Sequence, residues 1–181
     1  MGEPNEDDAD LARVLAGDPE AFEGIVRRWQ GRLIGLAWRF CRDRAAAEDM
    51  AQEAFLKAFR SLTTFRRESK FSTWLTAVAL NTYRSRLRSD GLPLLGLPPT
   101  RTISVAPVAL ADLQEQERTE AVRRLVLTLP ARYREAIIVY YFEERDLAES
   151  ARVLGIAEGT LKARLHRGRE LLKRRGAEKT R

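Results

Sequence analysis

DLAESARVLGIAEGTLKARLHRGRELL, residues 146–172, is the stretch on which the fold turns. Two helical patterns meet at Leu154-Gly155-Ile156. Gly155 tolerates the positive φ that a tight turn demands and that side chains with a Cβ avoid. Ala151 is small enough for a second helix to cross closely, and Ile156 places an apolar side chain just after the turn. In the second helix Leu161, Leu165 and Leu172 recur at i, i+4 and i+11 as a buried stripe. Lys162, Arg164, His166, Arg167 and Arg169 fall largely outside that stripe, and Thr160 stands where its hydroxyl can cap the helix or bond a phosphate. A plain αα-hairpin with a solvated basic face would satisfy the leucines equally. The glycine spacing and the basic outer face together favour a DNA-binding helix-turn-helix.

Working outward, apolar residues recur at helical spacing almost throughout the 181 residues. Asp18-Pro19-Glu20 has the form of a helix start, with Asp as N-cap and Pro in the first turn. Phe22, Ile25, Val26 and Trp29 form one face of that helix, which continues through Leu33, Leu36, Ala37 and Phe40. Ala45 to Leu62 forms a second helix, with Met50, Ala54, Phe55, Ala58 and Phe59 inward. Phe65 to Lys70 is a short basic loop, and Ser72 to Leu87 a third helix with Leu75, Val78, Ala79 and Tyr83 inward. Residues 91–109, GLPLLGLPPTRTISVAPVA, hold four of the seven prolines and one charge, Arg101, and cannot form one regular element. Beyond them Leu110 to Leu129 forms a helix ending before Pro130, and Ala131 to Glu143 another with Tyr133, Ile137, Tyr140 and Tyr141 inward. The expected architecture is all-α: two small helical domains, 1–90 and 110–181, joined by a flexible linker at 91–109, the second containing the helix-turn-helix.

Charge and composition narrow the function. Hydrophobic residues make up 44% and charged residues 32%, the balance of a folded soluble chain. Of 32 basic residues 27 are Arg, whose planar fork suits phosphates and base edges. Residues 1–20 carry seven acids against one base, whereas 61–91 carry six bases against two acids and 160–181 nine against two. Two separated basic segments suit two contacts on a polyanion. The longest uninterrupted apolar run, Ala136 to Phe142, is too short to span a bilayer, and the acidic opening MGEPNEDDAD lacks a signal-peptide core, so a cytoplasmic location is expected. There is no GxxxxGK[ST], HExxH or GxGxxG, so no enzyme class is indicated. One Cys, Cys41, and one His, His166, leave no basis for a transition-metal site, and no cofactor is expected.

Two further constellations stand in the first domain. TTFRRESKFSTWLTAVALNTYRSRLR, residues 63–88, interleaves Phe65, Phe71, Trp74 and Tyr83 with Arg66, Arg67, Lys70, Arg84, Arg86 and Arg88. That mixture suits single-stranded nucleic acid, although Trp74 falls on the apolar stripe and fits a core position better. Asn81 could read a base edge or cap an internal bond. In AEDMAQEAFLKAF, residues 47–59, Asp49, Gln52 and Glu53 share a face beside Leu56. An acidic face bordered by apolar residues suits a protein partner, though a solvated face explains the same pattern.

In this order the pieces resemble a bacterial RNA polymerase sigma factor of the extracytoplasmic function (ECF) class, group 4 of the sigma-70 family. DPEAFEGIVRRW, AAEDMAQEAFLKAFRSLTTFR and ESKFSTWLTAVALN resemble its region 2; LPARYREAIIVYYFEE and LAESARVLGIAEGTLKARLHRGRELL resemble region 4. The resemblance implies a factor that binds core RNA polymerase and directs promoter-specific initiation, in a stress or envelope response. By position, Asp49, Gln52 and Glu53 would dock on the clamp helices of the β′ subunit, while region 4 meets the β flap. Phe65, Arg66, Arg67, Lys70, Asn81 and Arg84 would engage the opened −10 element. Thr160, Lys162, Ala163, Arg164, His166 and Arg167 would contact the −35 element, with Ala163, His166 and Arg167 nearest base edges. The linker would thread toward the RNA exit channel, and an anti-sigma factor would be a further partner. Three positions depart from the family pattern: Ser150 replaces a branched apolar residue, Ser85 an Asp, and Ala163 a common Ser. A free-standing helix-turn-helix regulator would account for the second domain but not the first. A protein-interaction module would leave the basic segments unexplained.

Overall fold

The computed structural model describes residues 6–89, 121–143 and 145–179, and every regular element among them is helical. The chain divides into two compact units, Met1–Leu87 and Arg88–Arg181. The expected linker at 91–109 and the first part of the expected helix from Leu110 lie outside the described residues.

The N-terminal unit holds α1 (Glu6–Leu15), a 3-10 turn (Pro19–Ala21), α2 (Phe22–Cys41), α3 (Arg44–Ser61), a second 3-10 turn (Leu62–Thr64) and α4 (Phe71–Ser89). Asp18 precedes the Pro19 turn as expected but makes no side-chain cap. Its carboxylate instead accepts from Arg13 Nε and Nη2 at 3.1 and 2.7 Å, closing α1 back on the turn. α2 stops where Arg42 enters the left-handed region at φ 57°, and Asp43 then caps α3 by accepting from the Ala46 N–H at 2.8 Å. Ala47, Ala51, Ala54 and Ala58 form a buried small-residue row on α3, which packs extensively with α2. Such a row lets helix backbones approach closely, and Ile25, Leu33 and Leu36 of α2 and Met50 of α3 are buried. Tyr83 of α4 is fully buried and donates its hydroxyl to the Leu33 carbonyl at 3.0 Å, joining α4 to the middle of α2. Cys41 is also buried; desolvation pushes its thiol pKa up, and its Sγ donates to the Asp43 carbonyl at 3.2 Å. Phe59, expected inward, is 39% exposed and meets only the rim of the core, its ring edge-on to Phe22 at 5.1 Å.

α1 is fixed by polar contacts that hydropathy does not register. Asp7 is buried, accepts from Arg28 Nε at 2.9 Å, and takes the Trp29 indole N–H at 3.1 Å. Arg28 Nη2 reaches on to Asp10 at 2.6 Å. Burial alone would lower the Arg28 pKa, but the hydrogen bonds and charges of Asp10 and Asp7 raise it above its ordinary value. Gly24 lies beneath this cluster, where an added Cβ would displace the Asp10 carboxylate.

In the C-terminal unit residues 121–127 are helical (α5) and stop before Pro130, followed by α6 (Ala131–Ile137), a π-helical turn (Ile138–Phe142), α7 (Leu147–Leu154) and α8 (Glu158–Lys179). Tyr141, expected inward, is 45% exposed. The expected stripe assumed 3.6 residues per turn, and the wider π turn after Ile137 breaks that register. Asp146 caps α7 by accepting from the Glu149 N–H at 2.7 Å. Gly155 ends α7 at φ 67°, and the Ile156 N–H returns to the Ala151 carbonyl at 3.0 Å. This is the left-handed helix stop that the glycine's position called for. Leu161 and Leu165 are buried, but the next member of the row is Gly168, with Leu172 only half-buried. A Cβ on Gly168 would stand 3.2 Å from Ile137 Cγ1, so α6 and α8 meet closely there and a larger residue requires the Ile137 side chain to give way.

Ser150 of α7 is fully buried, and its Oγ has no hydrogen-bond partner. A desolvated, unbonded hydroxyl costs about 1–3 kcal/mol. Ser150→Ala removes that cost and leaves only a small void. The variant is expected to be more stable than the natural chain, measured as slower hydrogen exchange of α7 and α8 amides.

Candidate functional site

Three exposed surfaces carry the residues singled out from the sequence. On α3, Asp49, Gln52, Glu53 and Leu56 follow i, i+3, i+4, i+7 spacing and so share one face. Asp49 and Gln52 are exposed and Leu56 is 55% exposed, although buried alanines line the opposite side of the same helix. Glu53 pairs with Lys57 Nζ at 2.7 Å. The exposed part of Phe59, an inward position by helical spacing, extends the apolar end of this face.

The second surface is the loop before α4. Phe65, Phe71 and Trp74 form a ring triangle with centroids 5.4–5.7 Å apart, so Phe65 anchors the loop as well as being half-exposed. Arg66, Arg67 and Lys70 stand outward from that anchor. Arg67 is held at φ 57°, a left-handed conformation that few non-glycine residues adopt. Further along α4, Asn81 is exposed and accepts from Arg84 Nη1 at 3.0 Å, so its amide serves no internal cap. Ser85, where the family pattern has Asp, is exposed.

The third surface is the outer face of α8. Lys162, Ala163, His166 and Arg167 are exposed, Arg164 is half-buried, and Leu161, Leu165 and Gly168 occupy the opposite side. Thr160 is exposed inside the first turn of α8, which begins at Glu158, so it is not the residue before the helix. Arg167 Nη1 donates to Glu170 Oε2 at 3.0 Å, and His166 Nδ1 lies 3.9 Å from the same oxygen. Arg169 points elsewhere, donating to the Tyr141 hydroxyl at 3.1 Å. Among the described residues no group of three or more His, Cys, Asp or Glu could hold a metal ion, and no helix is long and apolar enough to cross a membrane.

Two family models match the chain. Residues 25–92 match sigma-70 region 2, and residues 119–172 match sigma-70 region 4. The RNA polymerase sigma-H factor of Pseudomonas aeruginosa is 33% identical, over 90% of this chain and 89% of its own length. The ECF RNA polymerase sigma factor SigW of Bacillus subtilis is 33% identical over 91% and 93%. Among solved structures, the sigma factor RpoE of Bartonella quintana, in complex with the anti-sigma factor NepR, aligns with TM-score 0.65 and 25% identity. That alignment covers 84% of this chain and 94% of RpoE. The chain belongs to the ECF sigma factors of the sigma-70 family. A sigma factor gives bacterial core RNA polymerase its promoter specificity, and that is the function of this chain.

Proposed function

We propose that the three surfaces divide the work of initiation in chain order, residues 1–90 serving the polymerase and the −10 element and residues 110–181 the −35 element. Asp49, Gln52 and Glu53, with Leu56 and the edge of Phe59 beside them, dock on the β′ clamp helices. A carboxylate-and-amide face with an apolar border suits a basic helical partner, the apolar part supplying affinity and the charges supplying register. Arg66, Arg67 and Lys70 hold the backbone of the opened −10 strand, Phe65 supports the loop from beneath and offers its half-exposed ring, and Asn81 with Arg84 faces a displaced base. Thr160, Lys162 and Arg164 meet −35 phosphates, while Ala163, His166 and Arg167 face base edges. The chain performs no chemistry of its own and works in the cytoplasm. Release from an anti-sigma factor in an envelope or stress response is its regulation, as the RpoE–NepR pairing suggests. The β flap is the partner of the C-terminal unit on the polymerase.

One observation carries the −35 assignment: the exposed Lys162, His166 and Arg167 stand opposite the buried Leu161, Leu165 and Gly168 on one helix. An Arg on such a face reaches guanine O6 and N7 with both arms of its fork. Arg167→Ala is expected to cost about 1–3 kcal/mol and to relax preference at one −35 position. Lys162→Ala is expected to weaken all sequences alike and lower the salt dependence. Transcription by each mutant holoenzyme on a series of −35 variants separates the two. A uniform loss from Arg167→Ala would make it a phosphate contact and displace the reading face.

A further inference from the structure

We propose that Glu170 is a specificity-determining residue: it positions Arg167 for one base edge and withholds it from indiscriminate phosphate binding. The inference rests on Arg167 as a base-reading residue. Glu170 lies one helical turn beyond Arg167, with basic residues on both sides of it: His166 and Arg167 before, Lys173 and Arg174 after. Among the described residues its carboxylate meets the pair that precedes it, at 3.0 Å from Arg167 Nη1 and 3.9 Å from His166 Nδ1. All three side chains are exposed, so the tether is maintained on the surface that faces DNA and is not part of the core.

The chemistry gives this tether a direction. A guanidinium has five N–H donors in a rigid plane. One edge can stay on the carboxylate while another spans guanine O6 and N7, so Glu170 and a correct base are satisfied together. A phosphate makes a different demand. It draws the guanidinium toward the DNA backbone, and the carboxylate, itself repelled by phosphate, opposes that movement. Glu170 therefore lowers affinity for any DNA while raising the ratio between the right base and the wrong one. Discrimination of this kind is a difference between two affinities, and a repulsive element can create it.

The test is selection of −35 sequences from a randomised promoter library by holoenzyme containing the natural chain, R167A, E170Q, E170A or R167A/E170Q. Gln keeps the length and a hydrogen-bond acceptor but not the charge, and Ala removes both; neither is a poor helix former. R167A should flatten one position of the selected sequence. E170Q should weaken preference at that same position about two- to fivefold, the range of an exposed ion pair, with E170A at least as severe. The slope of affinity against salt on non-promoter DNA should steepen by about one. On the R167A background, E170Q should change base preference no further. If R167A flattens a position and E170Q leaves it intact, Glu170 has no such role although Arg167 still reads a base. If E170Q blurs several positions, or acts equally on the R167A background, its effect is not through Arg167 and the proposal fails. If R167A flattens nothing, the base-reading assignment falls first, and the role of Glu170 with it.

Discussion

A chain carrying Asp49→Lys and Leu56→Asp is expected to fold normally and to lose core polymerase. Both side chains are exposed on α3, away from the alanine row that packs inward. Exposed substitutions of this kind shift stability by only about 0.5 kcal/mol. On the docking surface the same changes reverse a charge and place a carboxylate where an apolar anchor sits. Interface anchors cost about 2 kcal/mol or more when removed, so affinity for core polymerase should fall at least about 30-fold. All three tryptophans, Trp29, Trp38 and Trp74, belong to the N-terminal unit, so their fluorescence reports its unfolding. The expected pairing is an unchanged fluorescence melt with a lost anisotropy change on titration with core polymerase. A lowered melting temperature would make this face structural. Unchanged core affinity would move the docking site off α3.

Arg28→Ala has the largest expected effect on stability. It leaves the Asp7 carboxylate, 4% exposed, with the Trp29 indole N–H as its remaining side-chain partner. Breaking one side of a buried ion pair costs about 3–5 kcal/mol, and the partial exposure of Arg28 places this case at about 3. For a unit of this size that corresponds to a drop of more than about 10 °C in Tm. Arg27→Ala is the control. It breaks only an exposed pair with Glu23 one turn away, and should move stability by less than about 1 kcal/mol. If the two variants melt alike by tryptophan fluorescence, the Asp7 cluster does not hold α1.

The contrast between these arginines marks what a sequence can convey. Gly155, Leu161 and Leu165 were legible because local spacing alone constrains them: one turn conformation and one helical period. The exposed face of α8 followed directly from that period. Asp7 and Arg28 are separated by 21 positions, and nothing local distinguishes Arg28 from Arg27, so the partner is visible only once α1 lies on α2. Gly168 left a weaker signal. A glycine inside a helix costs about 1 kcal/mol against Ala, which implies a packing reason without saying which helix supplies it. Tyr141 and Phe59 were misplaced for two different causes. The π turn shifts Tyr141 off the helical stripe, while Phe59 lies at the rim of the core, where periodicity cannot separate a buried edge from an exposed one. The candidate surfaces were legible as residue types at fixed positions. The pairing of Arg167 with Glu170, and of Asn81 with Arg84, was not, because rotamer choice leaves no trace in composition.

The most direct measurement is in vitro transcription from genomic fragments with purified core polymerase, with and without this chain, reading the 5′ ends of the products. The expected result is a set of discrete start sites that require both components and share two upstream elements, near −35 and −10. The chain alone should bind duplex promoter DNA only weakly. Strong sequence-specific duplex binding by the chain alone, with no new start sites when core polymerase is added, would contradict its role as a sigma factor.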